Sequence, residues 1–263
     1  MEKNNLQSVL FEAISSAGTY LNNIQKEDIS VEYKSNSDLV THADLTSDRI
    51  IKDTIRKYYP NSSFWSEEGC EIIENSKEKW IIDPIDGTVN FISNIPLFAI
   101  SIAYEKNDEL LAGIISQPSF NNIIYTEKGT MSTKNSKPCT VSDTKLLKDS
   151  MVSIITTNHF TNELKDYISE IFRLLSKECR GVRVFVSASF ELALVATGKI
   201  DGAVLPNADF YGIKAGELIV KNSGGKLTNT DNQPFIKSGD LVVASNSTIH
   251  NSLIDLIKRA GNK

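Results

Sequence analysis

Trp80–Asn90, WIIDPIDGTVN, carries the densest chemistry of the chain. A short apolar run delivers Asp83 and Asp86 to its end, with Pro84 between them and Gly87–Thr88 behind. Pro84 fixes φ and lacks an N–H, so the turn is stiff, while Gly87 admits backbone conformations closed to other residues. Two carboxylates on one rigid turn can converge on a hard cation, and the Ile85 carbonyl can join them. Oxygen-only ligation of this kind suits Mg2+. If Thr88–Phe91 opens a helix, its N–H groups form an anion site beside the metal. The plainer alternative is a capped turn in which Asp83 and Asp86 only satisfy backbone donors. Two further acidic stretches stand upstream. Trp65–Gly69, WSEEG, supplies Glu67 and Glu68, although paired glutamates are also what a solvated face carries. Leu39–Asp44, LVTHAD, supplies Asp44 at an expected helix start, where a simple N-cap is the competing role.

In chain order, LVT-x-x-D, SEEG, W-I-I-D-P-I-D-G-T-x-N-F and a late Gly224–Gly225 preceded by A-G-x-x-I-V are four ordered motifs. Together they resemble the inositol monophosphatase family of metal-dependent, lithium-sensitive phosphatases. The resemblance spans nearly the whole chain, and the DPIDGT box is its most specific part. Position by position, it implies that Glu67, Asp83 and the Ile85 carbonyl hold a first magnesium ion. Asp83 and Asp86 share a second, and Asp44 is a candidate for a loosely held third. It implies a catalytic set of Asp44, Thr88 and Glu67, with Asp44 and Thr88 polarising the attacking water. Gly87 and Thr88 would hold phosphate through backbone N–H groups, with Asp86 and Ser187 also against the substrate. Two Mg2+ ions suit this chemistry, because a phosphate monoester has a poor leaving group and hydrolyses extremely slowly unaided.

The chain departs from the family pattern at several positions. The final family motif, W-D-x-A-A-G, has an aspartate that completes the second metal site; Tyr211-Gly212-Ile213-Lys214-Ala215-Gly216 stands there instead. Gly212 cannot ligate, and the nearest carboxylate is Asp209, three residues earlier, close to one helical turn away. Asp209 is therefore the candidate replacement ligand, or else only an N-cap. Lys214 brings a cation into the same motif. Leu205 occupies the position where inositol-specific members carry an acidic residue, which predicts an apolar pocket wall from Leu205 to Tyr211 with Asn207 as its polar contribution. Val186 replaces the usual glycine ahead of Ser187-Ala188-Ser189.

The elements that must position these residues follow from periodicity. Residues 5–26 and about Ala43–Tyr59 show helical spacing, separated by a polar turn region, Lys34–Thr41. Trp80–Ile82, Leu97–Tyr104, Leu111–Ser116 and Asn122–Thr126 read as strands. A Ser/Thr/Lys/Asp-rich stretch, Lys128–Ser150, marks a junction. Beyond it, Met151–Thr156, Val182–Val186, Gly202–Leu205 and Leu241–Ser245 read as strands. Asn162–Glu178, Phe190–Thr197, Tyr211–Asn222 and Ser252–Arg259 read as helices. The Asn162–Glu178 helix suits core or dimer packing. The resemblance implies a layered α-β-α-β-α sandwich, an α+β half over residues 1–145 and an α/β half over 146–263. A dinucleotide-binding sheet is disfavoured, because no GxGxxG follows any strand.

Composition bounds the rest. A chain of 263 residues that is 40% hydrophobic and 23% charged builds its own core. The net charge of −5 argues against nucleic acid or an anionic membrane as main partner. Three scattered cysteines give neither a zinc site nor a disulfide framework. His42, His159 and His250 share no catalytic spacing and read as surface or turn residues. With no apolar leader or run of 18 apolar residues, the expectation is a cytoplasmic enzyme. That enzyme is expected to be a homodimer, using two or three Mg2+ ions and inhibited by Li+, and acting on a small phosphorylated metabolite. Alternative substrates are a nucleoside 3′,5′-bisphosphate, fructose 1,6-bisphosphate or histidinol phosphate. A catalytically impaired member that binds or regulates is the other alternative.

Overall fold

The structure, a computed structural model, describes residues 5–25, 31–35 and 38–261. Helix α1 (Leu6–Ile24) opens the chain and buries Val9, Leu10, Ala13, Ile14, Ala17 and Leu21, the stripe its spacing predicts. Residue 26 of that predicted helix and residues 36–37 of the predicted polar turn lie outside the described residues. Around those two, the turn assignment is corrected. Strands β1 (Val31–Ser35) and β2 (Asp38–Thr41) pair antiparallel, because β-formers such as Val31, Tyr33, Leu39 and Val40 flank the polar residues. Helix α2 (His42–Arg56) follows.

A seven-stranded sheet comes next, in the order β3 (Ser63–Ser66), β4 (Glu78–Asp86), β5 (Ala99–Lys106), β6 (Glu109–Gln117), β7 (Asn122–Glu127), β8 (Thr133–Lys134) and β9 (Lys137–Pro138). β3 runs parallel to β4, and the remaining pairs are antiparallel. The short helix α3 (Thr88–Ile92) interrupts the chain between β4 and β5. A second, five-stranded sheet contains β10 (Met151–Ile154), β11 (Gly181–Arg183), β12 (Gly202–Leu205), β13 (Gly225–Asn229) and β14 (Val242–Asn246), in the order β11-β10-β12-β14-β13. Helices α4 (Asn162–Glu178), α5 (Ala188–Ala196), α6 (Phe210–Asn222) and α7 (His250–Ala260) pack on its faces.

Side-chain alternation along the strands builds three cores and therefore five layers. Trp80, Ile82, Ile100, Ile102 and Ile114 face α1 and α2. Their neighbours Ile81, Ala99, Ala103 and Ile115 face the opposite way, onto α5, α6 and the inner face of the second sheet. Val152, Val204 and Val243 turn outward onto α4 and α7. The result is the α-β-α-β-α order expected from the sequence. Gly113 is required for the tight seat of α6 on β6, since a Cβ there would lie 2.7 Å from the Ala215 carbonyl oxygen. In α4, Ile168, Ile171 and Leu175 are buried, so this helix packs on the core.

Three local differences have physical causes. β4 continues through Asp83-Pro84-Ile85-Asp86 instead of turning after Ile82, absorbing Pro84 in a register irregularity against β5. The β8–β9 hairpin and β13 are too short and polar to show a strand period. His250 is not a surface residue: it is 1% exposed, with Nδ1 2.8 Å from Ser245 Oγ and Nε2 2.9 Å from Thr228 Oγ1.

Candidate active site

The end of β4 and the first turn of α3 form the floor of the site. Gly87 takes φ 94° as the residue capping α3, and a Cβ there would lie 3.1 Å from Ser187 Cβ and 3.2 Å from the Leu97 carbonyl oxygen. Both the left-handed backbone and the close approach demand glycine. Thr88 Oγ1 stands 3.0 Å from the Ile85 carbonyl oxygen and 3.3 Å from Asp44 Oδ1, so one hydroxyl links the β4 end to the first turn of α2. Ser47, one turn along α2, donates to the Pro84 carbonyl at 3.1 Å and fixes α2 over the same turn.

Asp86 is held from the opposite side. Ala188 N–H donates to its Oδ1 at 3.2 Å, Ser189 N–H donates to its Oδ2, and Ser187 Oγ donates to its carbonyl at 3.0 Å. The amides at the start of α5 thus embrace a carboxylate from the first sheet, a favourable end for a negative charge. Ser187 is itself buried, and its Oγ also accepts from Phe190 N–H at 3.4 Å.

Asp83 is the centre of the arrangement. It is 4% exposed, and its Oδ1 has no hydrogen-bond partner among the described residues. Burial first, then the charges of Glu67, Asp86, Asp209 and Asp44, push its carboxyl well above the usual aspartate range. Burial likewise raises Asp86 to about 6, opposed by the Ser189 amide and hydroxyl and reinforced by Asp209. The sites predicted from separate stretches of sequence thus act on one another across the fold. Glu67 arrives from the loop after β3, where its N–H donates to the Ile82 carbonyl at 3.2 Å.

Asp209 caps α6, its Oδ1 accepting from Gly212 N–H at 2.8 Å, and burial raises its carboxyl despite that bond. The Cβ position of Gly212 lies 3.6 Å from Asp209 Oδ1 and 3.7 Å from Asp83 Oδ2. Asp209 is therefore both a cap and a member of the acidic group. Lys214 is occupied elsewhere: it pairs with Glu217 at 3.0 Å and lies over the Phe210 and Phe235 rings. Leu205 corrects an expectation, because it is 1% exposed inside the core between the sheets and cannot line a pocket. Asn207 is exposed in a left-handed turn, φ 52°.

Among the described residues, no group of three His, Cys, Asp or Glu side chains closes around a single point at ligand distance. The donor chemistry nevertheless fits a hard cation. The surrounding groups are carboxylates, and a buried oxygen of Asp83 lacks any partner. The α5 amides on Asp86 have no direct sign in the sequence, since backbone donors leave no residue-type signature. The strain at Val186, a β-branched residue at φ 59° immediately before Ser187, has one sign in the sequence, the replacement of the family pattern's glycine.

Comparison with known proteins identifies the family and the fold. The inositol monophosphatase family model matches residues 2–262. An inositol-1-monophosphatase of Mesorhizobium japonicum is 30% identical, covering 98% of each chain. A fructose-1,6-bisphosphatase/inositol-1-monophosphatase of Thermotoga maritima is 32% identical over 84% of this chain and 82% of its own. The Nus factor SuhB of Escherichia coli is 29% identical over 88% and 90%. Among solved structures, the SuhB protein of Bartonella henselae superposes with a TM-score of 0.92 at 31% identity, covering 97% of this chain and 98% of that one. No helix among the described residues is long and apolar enough to cross a membrane. With the motifs, the two-sheet fold and matches over nearly its full length in agreement, the chain belongs to the inositol monophosphatase family of phosphatases.

Proposed function

We propose that this chain hydrolyses a small phosphate monoester with Mg2+ as cofactor. The observation that carries the reading is Asp83: a buried carboxylate with an orphaned oxygen, raised by its burial and then by four neighbouring carboxylates. Glu67, Asp83 and the Ile85 carbonyl would hold one ion, and Asp83, Asp86 and Asp209 a second, with Li+ as an inhibitor. Bound Mg2+ supplies positive charge for the phosphate oxygens and lowers the pKa of water. The residues of the chain do the positioning. Asp44 Oδ1 accepts from the Thr88 hydroxyl and orients it, so this pair is suited to holding a water and receiving its proton. Gly87 and Thr88 offer backbone N–H groups to phosphate, as the start of a helix does. Ser187 acts through Asp86, whose carbonyl it holds.

The proposal places an N-terminal half, 1–145, and a C-terminal half, 146–263, on the two sides of this site. It includes a cytoplasmic homodimer without nucleic acid or membrane as main partner. A second reading, a weakly catalytic member that binds or regulates, is favoured by Gly212 at the motif aspartate and by likeness to proteins named Nus factor SuhB. Phosphate release separates the two readings. Inositol 1-phosphate, fructose 1,6-bisphosphate, histidinol phosphate and an adenosine 3′,5′-bisphosphate are each assayed with and without Mg2+. Mg2+-dependent turnover of at least one supports the enzyme; no turnover of any leaves the binding role.

A further inference from the structure

Lys52, in the second half of α2, is a lysine only 5% exposed. A buried ammonium has three N–H donors and is costly to bury unless acceptors meet them. Here Nζ donates to the Gly69 carbonyl at 2.8 Å and lies 2.7 Å from Asp48 Oδ2 and 3.4 Å from Glu71 Oε1. Asp48, one turn earlier on α2, uses its other oxygen to accept from Ser66 Oγ at 2.6 Å. Ser66 is buried; its Oγ accepts from Glu68 N–H at 3.3 Å and its carbonyl accepts from Gly69 N–H at 3.1 Å. Arg56, at the end of α2, pairs with Glu71 as well. Beyond α2 itself, these contacts end on Ser66, the last residue of β3, and on Gly69 and Glu71 of the following loop that carries Glu67.

We propose that Asp48 and Lys52 are positioning residues, a buried clamp that holds Glu67 toward Asp83 and Asp44 and so raises the affinity of the acidic site for Mg2+. The proposal rests on the reading that this site takes up Mg2+. The physical need is specific. Asp44, Asp83, Asp86 and Asp209 sit in or at the ends of helices and a central strand, whereas Glu67 lies just beyond β3 in a loop. Mutual repulsion before metal arrives pushes the carboxylates apart, and the position of Glu67 depends on what holds its loop. A clamp anchored in α2, the helix that also carries Asp44, opposes that push. Pre-organised ligands bind metal more tightly because less ordering remains to be done on binding.

Isothermal titration of Mg2+ into the metal-free full chain tests the clamp, with urea unfolding of each variant measured in parallel. Lys52→Met is expected to raise the Mg2+ Kd about tenfold while kcat at saturating Mg2+ stays within about threefold of wild type. Lys52→Arg, which keeps the charge, is expected to recover most of the lost affinity. A merely structural lysine would lower stability and leave Kd unchanged, and that result overturns the clamp. Ser66→Ala removes one hydroxyl from the other end and is expected to weaken Mg2+ about threefold. If Lys52→Met does not fold, an unchanged Kd in Ser66→Ala overturns the clamp in its place. Wild-type protein that takes up no Mg2+ and releases no phosphate overturns the metal reading itself, whatever the variants do.

Discussion

Asp209 and Gly212 share one oxygen's surroundings: the Gly212 amide donates to Asp209 Oδ1 at 2.8 Å, and a side chain on Gly212 would start 3.6 Å from that atom. A carboxylate at 209 therefore occupies the neighbourhood that a carboxylate at 212 serves in the family motif. Asp209→Ala is expected to lower kcat at least about tenfold and to raise the Mg2+ requirement. It should also cost about 1 kcal/mol of stability, since the cap of α6 goes with it. Gly212→Asp should change activity less, because it adds charge to an already acidic cluster. Phosphate release against Mg2+ concentration for both variants decides the matter. Strong activation by Gly212→Asp with no effect of Asp209→Ala would leave Asp209 as a cap only.

Asp86 is held by the α5 amides yet raised to about 6 by burial. The folded, metal-free protein thus keeps a proton that the unfolded chain releases near pH 4. Stability of the metal-free protein should fall as pH rises from about 4 to about 6, by about 3 kcal/mol from this group. Asp86→Asn should flatten that part of the curve and raise metal-free stability at pH 8 by about 1–2 kcal/mol, after the loss of one charged hydrogen bond. The same substitution should nearly abolish phosphate release. Near-normal turnover of Asp86→Asn at low Mg2+ would contradict the metal role of this residue.

Val186 sits at φ 59°, where its branched Cβ crowds the backbone, at the position where the family pattern has glycine. Relief of a cost of about 1–2 kcal/mol is partly offset by the greater freedom of glycine in the unfolded chain. Val186→Gly is accordingly expected to stabilise by about 0.5–1 kcal/mol, a Tm rise of about 1–3 °C for a chain of this size. Thermal unfolding with and without Mg2+ is the measurement, and a lower Tm would show that packing of the valine outweighs its strain.

Much of this architecture was legible because its elements follow simple periods. The α1 stripe and the strands β5, β6, β7 and β12 appear in the sequence as apolar patterns, since each buries one or both faces. The carboxylates were legible from residue type and order, as metal sites need oxygens on rigid turns. What the sequence did not disclose depends on who meets whom across the fold. By its place in the sequence Leu205 reads as a pocket wall, but it lies in the core because β12 turns it inward. His250 looked superficial until Thr228 and Ser245 enclosed it, and burial lowers it to about 4. The i,i+4 spacing of Asp48 and Lys52 was visible, but only the packing of residues 66–71 makes that pair an anchor.

Glu191 is another ionisable group that folding treats unusually. It is fully buried in α5; its Oε2 accepts from Ser153 Oγ at 2.5 Å, and its Oε1 has no partner among the described residues. Burial raises it to about 8, opposed by the Ser153 hydroxyl and reinforced by Asp86. The unfolded chain releases this proton near pH 4.3, so the folded state holds it through the range between. Folding stability should then fall as pH rises from about 4 toward 8, by about 4–5 kcal/mol from this residue at most. Glu191→Gln removes the titration while keeping an oxygen for Ser153, although its amide N–H groups must find acceptors. The stability difference between Gln variant and wild type should therefore shift in the variant's favour by about 4 kcal/mol between pH 5 and pH 9. The slope due to Asp83 is common to both proteins and cancels in that difference, whereas Asp86 acts on Glu191, so the shift belongs to the Glu191–Asp86 pair. Urea unfolding of the metal-free proteins at pH 5, 7 and 9 measures it directly. Parallel curves would mean that Glu191 is already ionised at neutral pH, with a counter-charge or water satisfying its second oxygen.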